Sequence, residues 1–239
     1  MGNRGFIGGF YQLAEKVMRI AQFQLLWIGL TFCGGIVLGV MPATVGLYTV
    51  MRKWIVGNED NQSYVRLYWT AFRKEFWKAN ALGLILTIAG FLIYLNFSLI
   101  RFSHGFMYWF LLLFVFMLSI LFLIILLYLF PVFVHFEGTF TRYISIALLL
   151  GLSFPFHTLL LIIGYYVLYL LFFTVPGMIP FFSVALFSCL SMWVSLKVFQ
   201  RVEGREGDGA VKRQVRFNAL FQRNSTPAIN NKGDFGSST

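Results

Sequence analysis

Long apolar stretches constrain this chain more than any other feature of its sequence. Each stretch is of the order of 20 residues, the length that a helix needs to cross the hydrocarbon core of a bilayer. Only short polar connections and one larger polar loop separate them. The sequence therefore predicts an all-α, polytopic helical membrane protein with about five transmembrane helices in one membrane domain over residues 23–200. The predicted spans are 23–50, 79–100, 106–130, 157–175 and 181–199.

Composition and charge support the same class of protein. Hydrophobic residues make up 59% of the chain and charged residues 12%, too few charges to cover a water-soluble domain. The net charge of +10 lies between and after the apolar stretches, where it orients the chain and meets anionic lipid headgroups rather than nucleic acid. Cys33 and Cys189 lie inside apolar stretches and form neither a metal-ligand spacing nor a disulfide framework. The lipid bilayer is thus the expected partner, without nucleic acid.

The first 22 residues are predicted to form an N-terminal interfacial segment, or the wet start of the first span. Phe10–Gln22 has the apolar stripe of an amphipathic helix, and Glu15 and Arg19 have the spacing of an i,i+4 ion pair. The segment does not resemble a cleaved signal peptide, because the apolar stretch that follows is far longer than the usual 7 to about 15 residues.

Small residues and a proline mark the first predicted span. Gly35 and Gly39 form a GxxxG pair, which allows a neighbouring helix to approach closely. We interpret this pair as close packing within the chain rather than as a dimer face, and a homo-oligomer is not predicted. Pro42 removes a backbone donor, so the helix is predicted to kink or end there, near the cytoplasmic boundary.

The loop over residues 51–78 is the largest polar interruption between the spans. Within it, Ser63–Lys78 has the period of an amphipathic helix, with Val65, Trp69, Phe72 and Phe76 on one stripe. One interpretation is a juxtamembrane helix that anchors the fold in the interface. The other is a docking surface for a cytoplasmic or membrane partner, with candidate residues Arg73, Lys74, Phe76, Trp77 and Asn80.

The apolar stretch after Tyr143 is longer than one untilted span requires. Pro155 favours a short interfacial helix followed by a span from about His157, which would then lie at the membrane boundary. A helix running straight through would instead place His157 near midplane, where an ionisable group is a functional candidate. Pro42, Pro155 and His157 are therefore the candidate features of a transport path.

The C-terminal part from residue 201 is polar, basic and without a sustained apolar stripe, so a flexible tail over 201–239 is predicted. With five spans, 15 of the 19 Lys and Arg residues fall on the side of loop 51–78 and of the C-terminus. That side is predicted to be cytoplasmic and the N-terminus external, in a cell membrane. Lys16 and Arg19 fit the external side poorly, so four spans with both termini inside is the alternative.

Several short motifs resemble the YesL family of bacterial integral membrane proteins. They are MPAT at Met41–Thr44, MRKW at Met51–Trp54, FRKEFWKAN at Phe72–Asn80 and LYLFP at Leu127–Pro131. The resemblance covers about Gln24 to Gln200. It implies an accessory role in carbohydrate uptake, with permease subunits of carbohydrate ABC transporters as partners, since genes of this family often accompany oligosaccharide uptake systems in Gram-positive bacteria. It implies no catalytic residue, because the family has no established activity.

The residues themselves offer no reactive centre. The chain lacks HExxH, GxSxG and P-loop motifs and any pair of carboxylates within a span, so no catalytic residue, cofactor or metal site is predicted. His135 and Glu137 are interpreted as solvated loop residues. The favoured hypothesis is a non-catalytic accessory or scaffold protein, and the alternative is a small autonomous transporter or channel.

Overall fold

The computed structural model describes residues 3–57, 63–102 and 104–224, with side chains from residue 11 to residue 202 within those ranges. The described residues form helices and turns without a β-strand, which confirms the predicted all-α class. A 3-10 helix, Pro176–Met178, leads into the last α-helix. The α-helices are α1 (Asn3–Cys33), α2 (Val37–Val56), α3 (Tyr64–Lys74), α4 (Phe76–Ile100), α5 (Phe106–His135), α6 (Phe140–Ser153), α7 (Pro155–Thr174) and α8 (Ile179–Asn224).

Four helical segments of the described chain are long and apolar enough to cross a membrane. They are Phe76–Ile100, Phe106–His135, Pro155–Thr174 and Pro176–Val202. These segments contain the second to fifth predicted spans, and their surfaces are rich in exposed Leu, Ile and Phe side chains, as expected of helices that face lipid. The chain is thus a polytopic helical membrane protein.

The predicted first span over residues 23–50 is wrong as one continuous helix. A turn at Gly34, Gly35 and Ile36 separates α1 from α2. Gly35 has φ +80° and Ile36 has φ +57°, values of the left-handed region that glycine adopts easily and β-branched isoleucine rarely does. The GxxxG pair is therefore split, with Gly35 in the turn and Gly39 in α2. Gly39 lies so close to the Thr31 backbone that a side chain there would collide.

The turn makes α1 and α2 an antiparallel pair. Near the turn, Trp27 donates from Nε1 to Thr44 Oγ1 at 3.1 Å. At the other end, the rings of Phe23 and Trp54 are 6.2 Å apart, and the Arg19 guanidinium lies 5.9 Å from the Tyr64 ring centroid. Arg19 therefore lies at the same end of the bundle as α3. The prediction that the N-terminus lies opposite loop 51–78 is wrong, and this placement agrees with the four-span alternative.

Helix α2 does not end at Pro42, so the predicted helix end at this residue is wrong. The helix continues through this buried proline to Val56 and is almost fully buried from Pro42 to Met51. Its neighbours include the first part of α8, where Ser188 and Ser191 lie near the buried Tyr48. Ser191 also bonds to the Leu127 carbonyl of α5 at 3.0 Å. These contacts place α2 and the first part of α8 at the centre of the bundle.

A break between α6 and α7 confirms the prediction made from Pro155. Helix α6 ends at Ser153, and α7 begins at Pro155, so His157 lies in the first turn of α7. In a continuous helix, the N–H of residue 155 would donate to the Gly151 carbonyl, but proline has no N–H to donate. Thr158 Oγ1 instead donates to that carbonyl at 3.0 Å, and the Tyr128 hydroxyl lies 3.1 Å from Thr158 Oγ1. The Gly151 carbonyl, which loses its helical partner at the break, is therefore hydrogen-bonded to a polar group within the bundle.

The described residues divide into a unit up to Val198 and a second unit from Phe199. The second unit is helical through Asn224, and the flexibility expected of residues 201–224 stays a prediction. Helix extension from an existing helix avoids the cost of nucleation, and the sequence there is rich in Glu, Lys, Arg, Gln and Ala. The prediction for residues 225–239 lies outside the described residues.

Candidate functional site

The end of the bundle that carries loop 51–78 contains a cavity of about 860 Å³, here called the basic cleft. Its wall comes from the end of α2, from α3, from the α3–α4 junction and from the connection between α5 and α6. These segments are far apart in the sequence, so their meeting is a tertiary feature. Its polar, charged and aromatic lining residues are Thr49, Arg52, Lys53, Thr70, Lys74, Glu75, Lys78, Phe133, Phe136, Glu137 and Tyr143.

Four cationic and two carboxylate side chains line the basic cleft, which gives it a net charge of +2. Glu75 is mostly buried and lies 3.8 Å from Lys78 and 4.0 Å from Lys74, so it offsets part of their charge. On the α2 side, Arg52 donates to the Val134 carbonyl at 3.2 Å, which ties α2 to the end of α5. A guanidinium has several N–H donors, so this bond leaves others for a ligand.

Hydroxyl groups complete the polar wall. Tyr143 is buried, and its oxygen accepts a hydrogen bond from the Gly138 N–H at 3.0 Å. Its own proton can therefore be donated to another group. Thr49 and Thr70 donate to carbonyls one turn earlier in their helices, which leaves their lone pairs as acceptors.

The predicted docking residues lie where α3 meets α4. Their helix is confirmed but ends at Lys74, because the backbone bends at Glu75, and Phe76 starts the membrane helix α4. Arg73, Lys74 and Trp77 are exposed, with Trp77 at 81%, whereas Phe76 and Asn80 are half-buried. Of these five candidates, Lys74 alone lines the basic cleft.

Four aromatic rings form a continuous row across this junction, here called the aromatic ladder. The centroids of Trp69 and Phe72 are 5.9 Å apart, those of Phe72 and Phe76 are 5.6 Å apart, and those of Phe76 and Trp77 are 5.8 Å apart. Arg73 lies over the Trp69 ring at 5.9 Å. Both ends of the ladder are exposed, so it presents two tryptophans, one of them in contact with an arginine, at the surface.

The stripe predicted for α3 is only partly correct. Trp69, Phe72 and Phe76 are neighbours as expected, but Val65 and Trp69 are exposed and the buried residues of α3 are Tyr68 and Phe72. The spacing of Tyr64, Tyr68 and Phe72, four residues apart, is a second aromatic stripe that could have revealed the buried face.

Tyr68 attaches α3 to α2. Its hydroxyl donates to the Ala43 carbonyl at 2.6 Å, and its ring lies over Gly46, where a Cβ atom would come within 2.7 Å of it. Burial raises the pKa of the Tyr68 phenol well above its ordinary value. Tyr68 therefore stays protonated and attaches α3 to α2.

The candidate residues of a transport path are not gathered in either cavity. Pro42 is buried within α2, Pro155 is exposed at the start of α7, and His157 is half-buried with its ring 5.9 Å from that of Phe154. The second cavity, of about 960 Å³, lies between α1 and α3 and is lined mainly by apolar residues. Among the described residues, no three His, Cys, Asp or Glu side chains lie together as metal ligands would.

Comparison with known proteins gives consistent matches along most of the chain. The family model described as "Protein of unknown function, DUF624" matches residues 20–97. The uncharacterized protein YteU of Bacillus subtilis is 36% identical over 90% of this chain and 96% of its own length. The uncharacterized proteins YesV and YesL of the same organism are each 34% identical, over 82% and 83% of this chain and 93% of their own lengths. No solved structure matches the chain.

Proposed function

Because this chain belongs to the YesL-like DUF624 family, which has no assigned activity, we propose from its own surface that it is a non-catalytic accessory subunit of a membrane transporter. The aromatic ladder and the adjoining cations form its docking surface. The partner that we propose is a permease subunit of a carbohydrate ABC transporter, as the resemblance to the YesL family implies.

The observation that carries this proposal is the exposure of Trp77, Arg73 and Lys74 at the α3–α4 junction. Tryptophan and arginine are the residues most enriched among the energetically dominant contacts of protein interfaces. Here ring contacts hold both in place, so little side-chain freedom is lost on binding. The surface is cationic and lies at the start of a membrane helix, which suits a membrane-embedded partner with acidic residues in its cytoplasmic loops.

The test is recovery of the permease with the tagged protein in mild detergent. We expect Arg73→Ala with Trp77→Ala to reduce recovery at least fivefold, since it removes the exposed contacts without entering the buried core. The matched control is Arg66→Ala with Trp109→Ala, which removes the same residue types from exposed positions elsewhere. Equal recovery with the two variants, or no recovery with the wild type, would contradict the proposal.

The alternative, an autonomous transporter or channel, has less support from the structure. Its candidate residues Pro42, Pro155 and His157 line neither cavity, and the carbonyl freed by Pro155 is already bonded to Thr158. We therefore expect no substrate flux into vesicles that contain this protein alone. Measured oligosaccharide flux into such vesicles would favour the alternative.

A further inference from the structure

We propose that the basic cleft binds a phosphate monoester, carried either by a lipid headgroup or by a soluble metabolite. This inference rests on the cleft residues and shares only Lys74 with the proposed docking surface. The docking surface consists of exposed side chains, whereas the cleft is a concavity of about 860 Å³, within the range typical of small-molecule sites.

The charge of the cleft selects an anion. Arg52 and Lys53 contribute from α2, and Lys74 and Lys78 contribute from the α3–α4 junction, so positive charge faces the cavity from two separate elements. The net charge of +2 equals the charge that a fully ionised phosphate monoester would neutralise. Arginine and lysine are the residues that most often hold phosphate oxygens, through paired N–H donors and through point charge respectively.

Neutral groups of the cleft fit the rest of such a ligand. The Tyr143 hydroxyl has a proton to donate to a phosphate oxygen, since its own oxygen already accepts from Gly138. The hydroxyl oxygens of Thr49 and Thr70 can accept from a hydroxyl of the ligand. The remaining wall includes the apolar side chains Phe133 and Phe136, so the cleft also accommodates a carbon skeleton.

The position of the two carboxylates argues against a cation as the ligand. Glu75 is already placed between Lys74 and Lys78, and Glu137 is exposed on the α5–α6 connection. Among the residues that the structure describes, the lining of the cleft contains these two acidic residues and no third one. The lining residues of the cleft therefore carry an excess of positive charge that an anionic ligand would neutralise.

Two probes test the proposal and separate the two sources of phosphate. Glycerol 3-phosphate, measured by calorimetry on detergent-purified protein, represents a soluble monoester, and glycerol is its uncharged control. Phosphatidic acid, measured by native mass spectrometry, represents a lipid monoester, and phosphatidylcholine is its control. We expect one of the two phosphate probes to bind selectively, and the identity of that probe assigns the source. Absence of selective binding of both would overturn the proposal.

A matched pair of variants locates the binding. We expect Lys53→Gln with Lys78→Gln to weaken binding of the phosphate probe at least tenfold. Lys16→Gln with Arg66→Gln removes the same charge from exposed positions outside the cleft and should change affinity less than twofold. Equal weakening by both variants would show general attraction to a basic surface and would overturn the cleft as the site.

A measurement on the wild type guards against a variant that fails to fold. The phosphate probe should protect Lys53 and Lys78 from acetylation by a water-soluble acetylating reagent, as read by mass spectrometry of the peptides. Lys16, which is exposed on α1 and outside the cleft, should acetylate at the same rate with and without the probe. Unchanged acetylation of Lys53 and Lys78 in the presence of bound probe would likewise overturn the proposal.

Discussion

The side chain of Tyr68 joins α3 to the membrane bundle through two different kinds of contact. Its ring occupies the space left by the missing side chain of Gly46, and its hydroxyl bonds to the Ala43 carbonyl. The phenol is completely buried, so the charged phenolate would be strongly disfavoured in the folded protein. The position of the docking surface and of the basic cleft thus depends on one tyrosine outside the predicted spans.

This burial predicts a pH dependence of stability. The raised pKa in the folded state means that the contribution of Tyr68 is complete below the ordinary tyrosine pKa of about 10. It is lost as pH rises above that value, because the unfolded chain then ionises while the folded chain does not. We expect the difference in melting temperature between wild type and Tyr68→Phe to shrink or reverse between about pH 9 and pH 11.

Other tyrosines also titrate in that range, so the difference between the two proteins is the informative quantity. Tyr11, which is exposed on α1, provides the control, since Tyr11→Phe should parallel the wild type at each pH. A constant difference between wild type and Tyr68→Phe across the range would show that the phenol ionises as readily in the folded protein.

At the scale of elements, the α6–α7 break shows how a helix can be interrupted inside a bundle. The Gly151 carbonyl loses its usual partner at Pro155 and gains the Thr158 hydroxyl. The same hydroxyl oxygen lies 3.3 Å from the Phe154 carbonyl and 3.1 Å from the Tyr128 hydroxyl, and Tyr128 is the donor to Thr158 when the single Thr158 proton is on a carbonyl. A chain of three polar groups thereby connects α5 with both halves of the broken helix.

Removal of the Thr158 hydroxyl should therefore destabilise the bundle. Thr158→Val keeps the shape of the side chain but leaves the Gly151 carbonyl and the Tyr128 hydroxyl without this partner, at a cost of about 1–3 kcal/mol. We expect a lower melting temperature in detergent, whereas Thr158→Ser should retain most of the stability. Thr174→Val removes an exposed hydroxyl from the other end of α7 and serves as the control. Equal melting temperatures for the two valine variants would contradict this account.

At the scale of the whole molecule, the antiparallel pair of α1 and α2 decides the topology. It places Arg19 beside Tyr64, so the basic residues of α1 and of α3 lie on the same side of the bundle. The α4–α5 turn, with Arg101, lies at the end of α4 that is remote from α3. The excess of Lys and Arg then predicts that the α1 and α3 side is cytoplasmic.

Cysteine labelling tests this topology. In a background with Cys33→Ser and Cys189→Ser, we expect Arg101→Cys to react with a membrane-impermeant maleimide in intact spheroplasts. Lys16→Cys and Arg66→Cys should react only after the membrane is opened. Reaction of Lys16→Cys together with Arg101→Cys would instead support the five-span topology with an external N-terminus.

Much of the fold could be predicted from local sequence features. Hydropathy located the four long spans, Pro155 located the break before α7, and the period of loop 51–78 located α3. The candidate site was harder to predict. Arg73, Lys74 and Trp77 were identified by residue type, but the cleft depends on Arg52, Lys53 and Tyr143, which no common motif connects.

The sequence by itself determined the membrane class, the helical class and the approximate bounds of most helices, because hydropathy and helix propensity are properties of neighbouring residues. The tertiary structure decided that residues 23–50 form two helices, that Tyr68 points into the bundle and that a basic cleft exists. The turn at Gly34–Ile36 lies within an apolar stretch and leaves no polar signal. The cleft likewise forms only when α2, the α3–α4 junction and the α5–α6 connection meet, and such contacts depend on packing between distant residues.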